Sequence, residues 1–233
     1  MVEEVEFEIY LYVEKKRFII FLLDTKKLIN LYKNDLILND YTEINFQELT
    51  KFLDENIFKI EKLLGKFIKD IFLIIKDDLE LETNISIKKK NINNTTNKKS
   101  LIQALVESKD IFQENNQNQE IIHMLIDNYV FNGKEQKVFI ENLDSEFLYL
   151  DIKFITLSDK FTSQFDKILE KYQIKVKHLM SGTYLKNFIK ENNIEISLIA
   201  NEITKGLNPN EIKIIPKIQI NRGFFERFFQ LFS

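Results

Sequence analysis

One run in the middle of the chain alternates between apolar and other side chains, and it constrains the fold more than any other stretch. It extends from Phe147 to Thr156. The residues that share its apolar side are Leu148, Leu150, Ile152 and Phe154. Because successive side chains of a strand point to opposite faces, this pattern predicts a β-strand with one face on a core. The chain must therefore contain a sheet and a layer that covers it.

The elements around that run predict the order helix, strand, strand, helix between Lys99 and Phe188. Lys99–Gln113 carries apolar residues at helical spacing. Glu120–Gly133 is rich in β-forming residues and ends in an Asn-Gly turn signal. Ser158 is placed to cap a helix over Lys160–Tyr172. We expect this block to form one α/β unit.

The order of elements and the sequence motifs of this block resemble those of the SHS2 domain of the bacterial cell-division protein FtsA. That family shows a phrase of the type E-I-L-H-x-L-P-x-x-F-x-V-D-G, which Glu120–Leu125 and Val130–Gly133 match in part. It then shows L-x-V-x-V-H-x-V-T before a helix, a spacing that Leu148–Thr156 reproduces. The resemblance implies an interaction domain that binds other division proteins or a second copy of the chain.

The segment before this block predicts three strands, a helix and a further strand. The predicted strands are Phe7–Val13, Phe18–Leu23, at least one within Leu28–Leu38, and Asp70–Ile75, and the helix is Phe46–Leu64, capped by Asn45 and ended by Gly65. An actin-like, ribonuclease-H-like subdomain begins in this order. In FtsA-like proteins this subdomain, 1A, precedes the SHS2 domain, so the order supports the resemblance.

Shorter segments connect these parts of the chain. Thr83–Lys88 is a candidate for the first SHS2 strand, and the polar, low-complexity stretch Asn91–Lys99 predicts a mobile loop. Ile194–Lys205 predicts a short amphipathic helix that Gly206 would end.

The first hairpin argues against nucleotide binding. In the family it reads L-D-I-G-T-S-K, a turn whose small residues let backbone N–H groups approach phosphate. On the same spacing Tyr12 replaces the Asp, and Glu14-Lys15-Lys16 replaces the small residues. The family's second phosphate loop would fall on Asn187–Ala200, which contains no glycine. The sequence therefore predicts no bound ATP and no other cofactor.

No set of residues predicts catalysis or metal binding. His123 and His178 are the two histidines, and neither has a companion at metal-ligand spacing. His123 lies in a predicted strand and is expected to have a structural role. The sequence contains no Ser-His-Asp order, nucleophile elbow or Walker loop. We expect a protein that is not an enzyme.

The last stretch, 222–233, predicts a membrane-binding helix. On a helical projection its apolar residues fall within an arc of roughly 160°. The residues predicted to contact lipid are Arg222, Phe224, Phe225, Arg227, Phe228, Phe229, Leu231 and Phe232. Such a helix lies among the headgroups with its aromatic face buried and its arginines near phosphate. FtsA-like proteins end in a comparable helix. The alternative is that the tail packs on the protein's own core.

The composition limits the cellular location and the classes of binding partner that we expect. The net charge of −3 gives no basic excess for nucleic acid. The absence of cysteine excludes disulfides and thiolate metal sites and favours a reducing compartment. The chain contains no apolar run of about 18 residues, so no spanning helix is expected. We predict a cytoplasmic protein that is peripheral on the inner face of the cell membrane.

Together these features predict a partial actin-like subdomain over 1–82, an SHS2 domain over 83–190, a helix and linker over 191–221, and the amphipathic helix over 222–233. The resemblance implies a non-catalytic cell-division scaffold that binds divisome proteins and an anionic membrane. The tubulin-like protein FtsZ is a further candidate partner, but the length of the chain disfavours it, because the subdomain that binds FtsZ in the family would not fit. The alternatives are a PilM-like envelope-assembly scaffold, or a soluble interaction module whose tail completes its core. An actin-type ATPase would need a phosphate loop that the sequence lacks.

Overall fold

A computed structural model describes residues 6–39, 42–190 and 194–213. Within these ranges the chain is a mixed α/β protein with two sheets, as predicted. The strands are β1 (Phe7–Glu14), β2 (Arg17–Asp24), β3 (Ile29–Ile37), β4 (Asp70–Lys76), β5 (Leu81–Lys90), β6 (Gln119–Phe131), β7 (Lys134–Gln136), β8 (Phe147–Ser158) and β9 (Lys175–Ser181). The helices are α1 (Phe46–Leu64), α2 (Lys98–Asn115), α3 (Asp159–Glu170), α4 (Gly182–Lys186) and α5 (Ile196–Thr204).

The first sheet has helices on both faces. Its strand order is β3-β2-β1-β4-β9, with β1 to β3 antiparallel and with β4 and β9 parallel to β1. Alternate residues of β1 point to opposite layers. Leu11 and Val13 pack with α1 and α3, whereas Tyr10 and Tyr12 pack with α4 and α5. Both faces of the sheet are therefore buried, which explains the unbroken apolar runs of β2 and β4.

Helix α1 begins and ends where the sequence predicts. The side chain of Asn45 accepts hydrogen bonds from the backbone N–H groups of Gln47 and Glu48, each at 3.1 Å. Gly65 adopts φ 67°, and its N–H donates to the carbonyl of Glu61 at 2.8 Å. A glycine reaches this left-handed conformation without a steric penalty from Cβ.

The second sheet has the order β5-β8-β6-β7, and α2 packs on one face of it. The apolar side that the alternation predicts for β8 is confirmed. Leu148, Leu150, Ile152 and Phe154 are all buried in the core between this sheet and α2. The ring of Phe112 stacks on that of Phe154 with centroids 4.6 Å apart. The pattern of β8 thus fixes which face of the sheet is covered.

The stretch predicted as a mobile loop is tied to the rest of the protein instead. Asn91 and Thr96 are buried. The Thr96 hydroxyl donates to the carbonyl of Ile140 at 2.6 Å, and the Asn91 amide donates to the carbonyl of Ser145 at 2.9 Å. The prediction failed because polar side chains that suggest a solvated loop here satisfy backbone groups of the segment before β8.

Strand β9 and helix α4 were not predicted. Strand β9 returns the chain to the first sheet after the second sheet is complete, and it pairs with β4 in parallel. The predicted boundaries after residues 82, 190 and 221 stay predictions. Strand β9 lies before the second of them and forms an edge of the first sheet.

Candidate functional site at the carboxyl ends of the parallel strands

Three parallel strands of the first sheet have their carboxyl ends on the same side of the sheet, which we call the carboxyl edge or, in short, this edge. Strand β1 ends at Glu14, β4 at Lys76 and β9 at Ser181. In open α/β sheets this edge is where ligands bind. It also contains the hairpin turn on which the resemblance would put a phosphate. We therefore treat the edge as the candidate functional site.

Glu14 lies at the centre of this edge and is bound by the chain's own side chains. Its Oε2 accepts a hydrogen bond from the Tyr12 hydroxyl at 2.7 Å. The Nζ atoms of Lys76 and Lys186 lie 3.4 and 3.7 Å from the same oxygen. Burial alone would raise the pKa of Glu14, but Tyr12, Lys186 and Lys76 together hold that pKa below its ordinary value. The carboxylate is therefore an ionised internal anion.

The pKa values of two neighbouring side chains are shifted as well. Burial, and after it the hydrogen bond to Glu14, raises the pKa of the Tyr12 phenol. Burial and the nearby Lys76 lower the pKa of Lys186, although Glu14 opposes this. Lys186 Nζ also lies 5.5 Å from the centre of the Tyr12 ring. The four side chains form one compact polar cluster, which we call the Glu14 cluster: Tyr12, Glu14, Lys76 and Lys186.

A glycine closes the edge beneath this cluster. A Cβ atom on Gly182 would lie 2.8 Å from the Cβ of Lys76 and 3.2 Å from both the carbonyl oxygen of Ile75 and the ring of Tyr12. The start of α4 therefore packs directly against β4 and β1. Ser181 caps this short helix by accepting from the N–H of Tyr184 at 3.0 Å.

The junction between β9 and α4 is the feature that sequence reasoning missed. The prediction looked for a second phosphate loop at Asn187–Ala200, but the structure puts Ser181-Gly182-Thr183 beside the first hairpin. The signal was the apolar pair Leu179-Met180 followed by three small residues. It was weak because Lys175, Lys177 and His178 interrupt the apolar pattern of β9.

Ser181 also joins a second, partly buried carboxylate to this edge. Its hydroxyl donates to Glu80 Oε2 at 2.6 Å. Burial raises the pKa of Glu80, and hydrogen bonds from Ser181 and from the backbone near Asp77 oppose this only in part. Within the described residues, Glu80 Oε1 is buried without a hydrogen-bond partner. The site therefore favours the neutral, protonated form of Glu80.

His123 lies behind this edge and links three parts of the chain. Its Nε2 accepts from the N–H of Ser181 at 2.9 Å, and its Nδ1 lies 2.6 Å from Glu211 Oε1. Because Nε2 accepts, the ring proton is on Nδ1 and is donated to Glu211. The Tyr184 hydroxyl donates to the other oxygen of Glu211 at 2.8 Å. Both ring nitrogens of His123 are thus used in structural hydrogen bonds.

The other sequence predictions concern metal binding, a lipid-binding helix and the absence of a spanning helix. Among residues 6–39, 42–190 and 194–213, no cluster of His, Asp and Glu has the composition to hold a metal ion. The residues predicted to bind lipid, Arg222 to Phe232, lie outside the described residues, as does the predicted C-terminal helix. In the part of the chain that the structure describes, no helix has both the length and the apolar character needed to span a membrane.

No protein-family model matches the chain. No curated protein matches it either. Solved structures to which it is similar include three at 7 to 10% sequence identity. They are the cytoplasmic domain of EpsL, an inner membrane component of the type II secretion system of Vibrio cholerae; the PilM–PilN type IV pilus biogenesis complex; and a Bacteroides thetaiotaomicron protein with an actin-like ATPase fold and unknown function.

The TM-scores are 0.37 for EpsL, 0.43 for PilM–PilN and 0.32 for the Bacteroides protein. The alignments cover 77, 76 and 81% of this chain, and 57, 48 and 58% of the respective solved chains. The chain thus spans about half to three fifths of the length of these structures. The likeness concerns the fold alone, and function has to be argued from the chain's own residues.

Proposed function

We propose that the protein is a non-catalytic scaffold that binds another protein at the cytoplasmic face of a membrane. The observation that carries this proposal is the Glu14 cluster. The edge of the sheet that would hold nucleotide phosphates holds an ionised carboxylate, already bound by Tyr12, Lys76 and Lys186.

Electrostatics and space both disfavour a nucleotide at this edge. A phosphate would have to displace Glu14 from its lysines, or lie beside it and be repelled. The turn between β1 and β2 has long side chains at Lys15 and Lys16 and no glycine to free its backbone. Lys15 is itself paired with Asp78 at 2.9 Å. Charged side chains of this edge, including Glu14 and Lys15, are thus already paired with other side chains of the same chain.

The surface we assign to a protein partner is the exposed part of the face of the second sheet opposite α2. Residues of β5 on this face, including Ser86 and Lys88, are exposed. The Lys88 ammonium lies 4.0 Å from the centre of the Phe147 ring, and Tyr149 beside it is 37% exposed. Aromatic side chains next to charged groups are enriched at protein interfaces. The same face suits another protein or a second copy of the chain.

The membrane side of the proposal rests on the tail, 222–233. We propose that its aromatic face enters the headgroup region of an anionic bilayer while Arg222 and Arg227 meet lipid phosphates. Of the two kinds of scaffold considered, we favour a PilM-like scaffold of an envelope assembly. The FtsA-like division scaffold is the second form, and it differs in its partner, not in the chemistry of the chain.

The nucleotide part is tested by calorimetric titration of the full chain with millimolar Mg·ATP, beside thermal unfolding with and without the nucleotide. We expect no saturable heat and no rise in Tm, since a ligand that binds only the folded state raises its stability. The matched variant is Glu14→Gly, which removes the internal anion and frees the turn. Saturable ATP binding by the unchanged chain, lost when Lys76 is replaced by Ala, would refute the non-catalytic proposal.

The membrane part is tested by co-sedimentation with anionic and neutral vesicles, using the full chain and a chain that ends at Ile220. We expect the full chain to sediment more strongly with anionic vesicles. If neither chain sediments and the shorter one melts much lower, the tail completes the protein's own core and the membrane role is wrong.

The partner surface is tested first for self-association by sedimentation velocity, with Tyr149→Glu as the variant. The variant removes an aromatic side chain from the face and adds a charge that would have to be desolvated between two copies, so we expect it to shift any dimer toward monomer. Glu82→Gln, near the end of the same strand pair, is the matched control. A dimer that Tyr149→Glu leaves intact would remove self-association from this face.

A further inference from the structure

The last residues of α1 and the loop that follows them expose apolar side chains between lysines. Phe67 is 83% exposed and Leu63 is 61% exposed. Lys62, Lys66 and Lys69 alternate with them and are exposed as well. No carboxylate lies within 62–69. We call this segment, Lys62–Lys69, the Phe67 loop.

The Phe67 loop lies at the amino ends of the parallel strands, opposite the Glu14 cluster. Lys66 and Phe67 line a cavity of about 290 Å³ together with Phe72 and Lys177. Lys69 lies beside Lys175, whose N–H donates to the Lys69 carbonyl at 2.9 Å. In the part of the chain that the structure describes, no ion pair is formed by the ammonium groups of these lysines.

Three carboxylates near the amino ends of the strands offset part of the loop's positive charge. Glu61 accepts a hydrogen bond from the N–H of Ile68 at 3.0 Å. Glu8 accepts from the Tyr10 hydroxyl and, at 2.9 Å, from the amide of Asn201. Both are held within the protein, and Asp70 is the exposed acid beside the loop. The lysines of the edge outnumber these acids, so the surface favours an anionic partner.

The chain continues toward its tail from this same side of the molecule. A second cavity, of about 530 Å³, shares Glu8, Phe72 and Lys177 with the first. Its lining includes Lys213, the last residue that the structure describes. Residues 214–221 can span at most about 29 Å when fully extended. The tail and the Phe67 loop can therefore reach one flat surface together.

We propose that the Phe67 loop is a second membrane-binding site, which inserts Phe67 and Leu63 among the headgroups of an anionic bilayer. Burial of aromatic surface at the interface and attraction of Lys62, Lys66 and Lys69 to lipid phosphate act together there. This inference rests on the proposed membrane role of the tail. One short helix anchors weakly, and a second contact on the same molecule raises the overall binding.

A single tryptophan tests the insertion directly, because the chain contains none. Phe67→Trp is measured in the full chain with vesicles of phosphatidylglycerol and phosphatidylcholine. We expect its emission to shift to shorter wavelength and to be quenched by brominated lipid. Ile37→Trp is the matched control. Ile37 is 75% exposed and lies opposite Arg17 at the other edge of the sheet, so we expect no shift there.

Two further variants separate failure of the loop from failure of the tail. Phe67→Ser and Lys66→Glu should each lower vesicle co-sedimentation several-fold in the full chain, and should remove the residual binding of the chain that ends at Ile220. Neither should change Tm, since both side chains are exposed. If the full chain binds vesicles while Phe67→Trp shows no shift and Phe67→Ser no loss, the loop does not contact lipid and the proposal falls. If the full chain binds no vesicles, both the loop and the tail are refuted.

Discussion

The Nε2 atom of His123 accepts a hydrogen bond from the backbone N–H of Ser181 at 2.9 Å. His123 belongs to β6 of the second sheet, and Ser181 ends β9 of the first. The bond therefore joins the two sheets through a buried side chain. Through its Nδ1 the same ring holds Glu211, close to where the described chain ends at Lys213.

Replacing His123 by Leu should destabilise the protein. The buried N–H of Ser181 would lose its acceptor, which alone costs about 1–3 kcal/mol. Urea unfolding measures the effect. His178→Asn is the control, because His178 is exposed on the edge strand β9, and we expect its effect to stay within about 0.5 kcal/mol. If the two variants lost equal amounts of unfolding free energy, the hydrogen bond between His123 and Ser181 would not be what holds the sheets together.

Adding one methyl group at Gly182 should also destabilise the fold. The new Cβ would meet Lys76 Cβ at 2.8 Å and the Ile75 carbonyl oxygen at 3.2 Å, both of which belong to β4. Overpacking of this kind costs about 1–3 kcal/mol. Thermal unfolding of Gly182→Ala is compared with that of Asn187→Ala, an exposed position at the end of the same helix. An unchanged Tm for Gly182→Ala would mean that α4 can shift away from the sheet.

The pH dependence of stability should reveal Glu14. Its folded pKa lies below its ordinary value of 4.5, so its ionised form stabilises the fold at higher pH, and this stability is lost as the pH falls through the folded pKa. Glu14→Gln should therefore be less stable than the unchanged chain at pH 7, and the difference should shrink in more acidic buffer. Urea unfolding across this range measures it.

Glu146→Gln is the control for that series. Glu146 is exposed, and its carboxylate lies 3.9 Å from the Lys90 ammonium in an ion pair on the surface. Such pairs contribute little at any pH. The assignment of Glu14 as a stabilising internal anion would be contradicted if the difference in unfolding free energy between Glu14→Gln and the unchanged chain grew as the pH fell.

Glu80 should behave in the opposite way. Burial raises its folded pKa above 4.5, so the folded state holds the proton more tightly than the unfolded state. The fold therefore loses stability as the pH rises from 4.5 through the folded pKa. Glu80→Gln removes this loss and should gain in relative stability over that window. If the variant and the unchanged chain keep a constant difference in unfolding free energy across it, Glu80 does not titrate with folding.

Local patterns determined most of the secondary structure. Asn45 and Gly65 fixed both ends of α1, because a side-chain acceptor and a residue free to adopt positive φ act within one turn of chain. The alternation in β8 fixed the buried face of the second sheet for the same reason, since the direction of a side chain follows from its place along the strand. The sequence also showed that the first hairpin lacks a phosphate loop.

Tertiary structure alone decided the rest. Strand β9 is mostly polar and exposed along Lys175–His178, so its pairing with β4 depends on a sheet built earlier in the chain and not on a pattern of its own. The meeting of Glu14 with Lys76 and Lys186 likewise depends on three strands ending at one edge. Contacts between residues so far apart in sequence are set by packing, and neither spacing nor propensity along the chain encodes them.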